Sequence, residues 1–155
     1  MIQRIQTLYL LLAAICVGAT LLTPLANYTD GESLVTLRAF MFADEDGVVV
    51  QPALYMGILL ALSALVPFVT IFLFKRRMLQ IRLCVAELVL LVGSQIMIGI
   101  YAYFLGYKAV KELPFSAFSI EFWAIMPIVA IIFIVLALRA IFRDELLIRS
   151  LNRIR

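Results

Sequence analysis

Polar and apolar positions along this chain fall into blocks. No charged residue lies between Arg4 and Asp30, and none between Asp46 and Lys75. Only Glu87 falls between Arg82 and Lys108, and after Glu121 the next charge is Arg139. A bilayer core about 30 Å thick is crossed by about 20 helical residues. The pattern therefore predicts four spans, at about residues 5–26, 53–74, 83–105 and 118–138, the fourth starting at Phe118 or Phe122. The expected fold is an all-α membrane protein, a four-helix transmembrane bundle forming one domain over residues 1–155. The first block also has a rival reading as a cleaved signal peptide, with Val17-Gly18-Ala19 as a cleavage site. Its apolar run continues through Leu21, Leu22 and Leu25, past the 7–15 residues of a signal core, which favours a retained helix.

The segments between the blocks carry their own patterns. From Leu34 to Phe42 the chain is rich in β-branched and aromatic residues, Asp44-Glu45-Asp46-Gly47 is a turn signal, and Val48-Val49-Val50 is again strand-like. These features predict a short β-hairpin over about residues 33–51, capping the outer end of the bundle. After the fourth block, residues 139–155 read as a continued helix with basic and apolar faces, Leu147, Leu151 and Ile154 recurring at helical spacing. Its arginines suit anionic headgroups, at about 1 kcal/mol each. They also serve as a simple topology anchor, or as a docking surface for a cytoplasmic partner.

Composition turns the pattern into a choice of solvent. Hydrophobic residues make up 65% of the 155 and charged residues 15%, against about 45–50% and about 25% in water-soluble domains. A domain of this size cannot bury that much apolar surface in its own core, so lipid is the expected solvent. Charge placement then sets orientation. Arg4, Lys75, Arg76, Arg77, Arg82, Arg139, Arg143, Arg149, Arg153 and Arg155 lie on one side, and only Arg38, Lys108 and Lys111 on the other. The richer side is expected to be cytoplasmic, with both termini inside.

Candidate chemistry is sparse. Glu87 is the sole charge within a span, about one and a half turns beyond Arg82, hence roughly 7–8 Å deeper. A charge in hydrocarbon is costly and marks either a structural ion pair or a relay for a proton or cation. Ser94 and Gln95 follow on the same helix and, with Glu87, form a candidate intramembrane polar stripe. Pro67 and Pro127 each remove one helical hydrogen bond, at different depths, and read as kinks. Ala14 with Gly18, Gly57 with Ala61, and Ala102 with Gly106 are small pairs at spacing four, which favour close helix–helix contact. Cys16 and Cys84 are expected to be free thiols at different depths. With no histidine in the chain, bis-histidine haem, histidine-bound zinc and a serine–histidine triad are excluded. No cofactor, metal or nucleic acid is expected.

Three stretches carry a resemblance. They are Met1-Ile-Gln-Arg-Ile-Gln-Thr-Leu-Tyr-Leu-Leu-Leu-Ala13, the run from Leu73 through Lys75-Arg76-Arg77 to Cys84, and the run from Leu138 to Arg155. In order and spacing the chain resembles a family of bacterial four-span membrane proteins from Bacteroidota, catalogued as a domain of unknown function. It departs from that family at Leu151-Asn152, where a small residue and an aspartate are expected, and at Glu87, where a neutral polar residue is usual. The resemblance implies an inner-membrane location and assigns no activity. All three stretches lie at the expected cytoplasmic face, so Arg4, Lys75, Arg76, Arg82, Arg143, Asp144, Glu145 and Arg149, with Gln3, Gln6 and Gln80, form a candidate contact surface. Two functions follow as expectations. One is a non-catalytic subunit or scaffold of a membrane complex. The other is a small oligomeric transporter or channel using Glu87, Ser94 and Gln95.

Overall fold

The computed structural model describes residues 2–29, 34–73, 76–106 and 117–152. Four helices follow the apolar blocks: α1 (Ile2–Leu22), α2 (Leu54–Phe72), α3 (Arg77–Ile100) and α4 (Met126–Asn152). All four are long and apolar enough to cross a membrane. They form a ring in which α1 packs on α2 and α4, and α3 packs on the same two from the opposite side. Large apolar side chains on the outside of the ring, such as Leu8, Ile58, Val89 and Ile132, are exposed. In water that surface would be untenable; in lipid it costs nothing. The fourth helix does not start at Phe118. A single 3-10 turn, Phe122–Ile125, leads into α4, which runs without a break from the apolar block into the basic tail.

The expectation of an all-α bundle with one added hairpin is overturned. Five four-residue strands form one antiparallel sheet: β1 (Ala26–Thr29), β2 (Leu34–Leu37), β3 (Met41–Asp44), β4 (Val49–Pro52) and β5 (Ala117–Ile120). Their order is β4-β3-β2-β1-β5. The turn at Asp44–Gly47 joins β3 to β4, with Gly47 in the left-handed region at φ 75° and its N–H donating to the Asp44 carbonyl at 2.8 Å. That hairpin is only the far edge of the sheet. Its central strand is β2; β1 begins at Ala26, where the sequence pattern ends the first span, and β5 comes from the far side of α3. Tyr28 pairs across to Val35 on β2 and to Phe118 on β5. Isolated hairpins are marginal in water, and extra strands with a buried face make the sheet stable.

The buried face of the sheet closes one end of the helix ring, the end expected from charge placement to be the outer one. Ala26, Tyr28, Val35, Leu37 and Phe42 point inward on alternate positions, and a bulge between Phe42 and Ala43 turns both of those inward. Phe42 stacks on Tyr101 of the helix ring, ring centroids 6.5 Å apart, and Tyr28 lies 6.2 Å from Phe42.

Tyr28 is fixed by a defect in α3's continuation. Residues Tyr101–Leu105 form a π-turn, in which the Gly106 N–H reaches back to the Tyr101 carbonyl. In an α-helix that N–H would bond Ala102. The Ala102 carbonyl is thus not taken by Gly106, and the Tyr28 hydroxyl donates to it at 2.5 Å. Gly106 leaves the room: a Cβ there would overlap the Tyr28 phenol. At Gly57 a Cβ would overlap the Phe40 ring and come within 2.8 Å of the Ala39 carbonyl. Both glycines thus admit side chains of the sheet region, whereas the small-pair pattern pointed to helix–helix contact. Gly18 has nothing within 4 Å of a built Cβ.

Burial pushes the Tyr28 phenol above the ordinary tyrosine range. Its folded form therefore holds the proton more tightly than the unfolded form. The stabilisation is complete below about pH 10 and declines as pH rises beyond it. Tyr28→Phe is expected to lower stability by about 1 kcal/mol. Gly106→Ala, which overpacks the notch, is expected to cost about 1–3 kcal/mol. Thermal unfolding in detergent of the two variants checks the order; a harmless Gly106→Ala would contradict the notch.

Candidate functional site

The polar side chains of the helix ring gather on facing sides of α2 and α3. On α3, Gln80, Cys84, Glu87, Leu91, Ser94 and Ile98 make one buried stripe. On α2 the facing stripe is Met56, Gly57, Leu60, Ser63, Pro67 and Thr70. Two hydrogen bonds tie the stripes together. The Gln80 side-chain amide donates to the Thr70 carbonyl at 3.0 Å, and the hydroxyls of Ser63 and Ser94 meet at 3.2 Å. Glu87 lies two turns from Gln80 and two turns from Ser94. Pro67 lies between Ser63 and Thr70 on the other helix.

Glu87 is 1% exposed, and among the described residues neither carboxyl oxygen has a hydrogen-bond partner. The Thr70 hydroxyl donates to the Val66 carbonyl of its own helix. Ser63 and Ser94 lie within hydrogen-bond distance of the Leu59 and Leu90 carbonyls and of each other, and with one hydrogen apiece one of the two donates to the other. Pro67 has no N–H, so the Ser63 carbonyl lacks its helical donor. Gln95 stands beside this stripe, half-buried, and its side-chain oxygen is likewise buried without a partner. Of the three residues of the candidate stripe, Glu87 and Ser94 share the buried face and Gln95 lies at its margin. Sequence reasoning passed over Ser63 and Thr70 on α2, although their spacing of seven, with Pro67 between, is a helical-face signal.

The inner end of the ring holds the second candidate. Arg76, Arg82 and Arg143 are exposed there, while Glu145 is half-buried. Asp144 is buried and accepts a hydrogen bond from the equally buried Gln6 side-chain amide, joining α4 to α1. Asp144 therefore works inside the ring and is absent from the contact surface proposed for it. Arg4 and Arg149 lie in α1 and α4, but their side chains, like all of Lys75 and Gln3's side chain, fall outside the described residues. Cys84 is buried and Cys16 half-buried, both free. No group of three or more His, Cys, Asp or Glu suited to a metal ion occurs among the described residues.

A family model matches residues 2–154, nearly the whole chain. The chain belongs to the family described as domain of unknown function DUF4293. No curated protein and no solved structure matches it. For this DUF4293 chain, then, function has to be read from its own geometry.

The Gln6–Asp144 contact is expected to show coupling in a double-mutant cycle. Asp144→Ala alone leaves a buried amide without its partner, costing about 1–3 kcal/mol, and adding Gln6→Ala should recover part of that loss. Strictly additive losses in chemical unfolding would show that the two side chains act separately.

Proposed function

We propose that this protein is a non-catalytic subunit or scaffold of a larger complex in the bacterial inner membrane, oriented with both termini in the cytoplasm. The observation that carries this reading is the closed outer end of the helix ring. The sheet and its aromatic side chains, Tyr28, Phe42 and Tyr101, fill the mouth through which a solute would have to pass. A path through one copy is thereby disfavoured, and with it the alternative of a transporter using Glu87. What the molecule offers instead is surface. Its inner end presents exposed Arg76, Arg82 and Arg143, held in place by the Gln80–Thr70 and Gln6–Asp144 ties. Guanidinium groups arranged on a rigid frame suit carboxylates of a partner or anionic headgroups. The asymmetry of lysine and arginine supports the orientation.

Orientation is tested with single cysteines in a background lacking Cys16 and Cys84. A membrane-impermeant maleimide should label Val49→Cys in intact spheroplasts, and Arg143→Cys only after permeabilisation. The reverse pattern would overturn the orientation. The subunit reading is tested by gentle purification from native membranes through an N-terminal tag. A stoichiometric partner protein is expected, and its loss when Arg82 and Arg143 are both replaced by alanine. Recovery of the chain alone, as a defined homo-oligomer, would overturn it.

A further inference from the structure

Side-chain amides in hydrocarbon find their partners on a neighbouring helix, because lipid offers neither donor nor acceptor. Gln95 has no such partner within its own chain. It lies near the middle of the third apolar block, residues 83–105, about 15 Å from either face of the hydrocarbon. That is too deep for its side chain to reach water. The side-chain oxygen is enclosed and has no hydrogen-bond partner among the described residues. The nitrogen is not enclosed, the residue being half-buried at the edge of α3, and no described residue bonds to it. The ring leaves this amide half inside and half facing lipid.

The surface beside it suits another helix. About one turn to either side, Val92 and Gly99 face outward. A glycine inside a helix costs about 1 kcal/mol against alanine, and the ring does not require this one: nothing lies within 4 Å of a Cβ built at Gly99. At Gly57 and Gly106 the space is taken by side chains of the sheet region. At Gly99 it is open to the outside, where a second backbone can approach. Val85, Val89, Val92 and Ile96 are exposed on the same helix, and such β-branched side chains keep one rotamer in a helix and lose little freedom on packing. Gly18 on α1 is open as well, but among the described residues no unpartnered buried polar atom of α1 accompanies it.

An amide carries both donors and an acceptor, so a second amide is its complement. Copies in one bilayer share their orientation, and a two-fold axis along the membrane normal sets each residue opposite its counterpart at equal depth. A foreign helix would need a polar group at that depth; a second copy has one by symmetry. We propose that the outer face of α3 is the interface of a homodimer, in which Gln95 of the two copies exchange N–H···O bonds across the axis and Gly99 admits the close approach. A turn about the last side-chain torsion, which is broad, brings the enclosed oxygen to the shared edge. The pairing stands whether or not a second protein binds the inner end.

The full-length chain lacking Cys16 and Cys84 and carrying Val92→Cys is oxidised with copper phenanthroline in native membranes. A disulfide-linked dimer is expected, and none from Ile58→Cys, which is exposed on the outer face of α2. Affinity is read in lipid vesicles, by energy transfer between labelled copies as lipid dilutes them. Gln95→Leu is expected to weaken pairing about tenfold, and Gly99→Leu at least as much. Gly99→Leu fills open space, so it tests the interface even if Gln95→Leu does not fold. A wild-type chain that stays monomeric at every lipid ratio would overturn the proposal. So would equal crosslinking from Ile58→Cys, or a Val92→Cys crosslink to a different protein with none between copies. Unchanged pairing by Gln95→Leu would overturn the part assigned to the amide, and unchanged pairing by Gly99→Leu the face itself.

Discussion

Backbone groups that leave a helix at the edge of a bilayer must find partners within the protein, and at the outer end of this ring they find them in the sheet. Leu25, just past α1, donates to the Leu37 carbonyl at 2.8 Å, and its own carbonyl accepts from Glu121 at 3.0 Å. Ala53, just before α2, donates to Phe40 at 2.7 Å. The end of one helix and the approaches to two others are thus tied into one hydrogen-bonded layer. The Tyr28–Ala102 contact adds the continuation of α3. Every helix of the ring is held at its outer end by the same sheet. The aromatic seal, and the disfavoured passage through the ring, follow from that arrangement.

The inner end uses side chains where the outer end uses backbone. Gln6 with Asp144 and Gln80 with Thr70 connect adjacent helices in pairs, α1 to α4 and α2 to α3. Buried amides of this kind are worth little individually in a membrane, because the separated helices also find partners. Their value lies in fixing which faces meet. Between the two ends the ring is apolar except for the stripe containing Glu87. Among the described residues of α3, that carboxyl is buried without a hydrogen-bond partner, as are the Gln95 side-chain oxygen and one Arg77 guanidinium nitrogen.

Much of the architecture was legible because lipid imposes long, uninterrupted apolar runs. The four helices lie where the charge-free blocks lie, and the turn at Asp44–Gly47 was visible in its residues. The sheet was not legible, for a specific reason. The pattern reads Ala26 as the end of a span and Asn27-Tyr28-Thr29 as loop, and Phe118 as a start of the fourth span. The pairing of β1 with β5 joins residues about 90 positions apart, such as Tyr28 and Phe118, and no local pattern encodes that. The π-turn at Tyr101–Leu105 was equally hidden, since no local pattern marks it and the Tyr28 hydroxyl that meets it at Ala102 lies 74 positions away. At the candidate site, Glu87 stood out as the only charge in a span. Its lack of a hydrogen-bond partner among the described residues was invisible, because that depends on which side chains the fold brings to it. Asp144 was misplaced on the surface because helical periodicity cannot say that Gln6 waits opposite it.

The position of β5 has a consequence for how the molecule is made. Translation and membrane insertion proceed from the N-terminus, so β1 to β4 emerge before α2 and α3 have been synthesised. β1 then has β2 on one side and an open edge on the other, with Tyr28 lacking both the notch at Gly106 and the ring of Phe118. Only when the chain has crossed the bilayer a third time does β5 arrive to cover that edge. Biogenesis therefore includes an interval in which a half-finished sheet is left with an open edge, and the last strand made is the one that closes it.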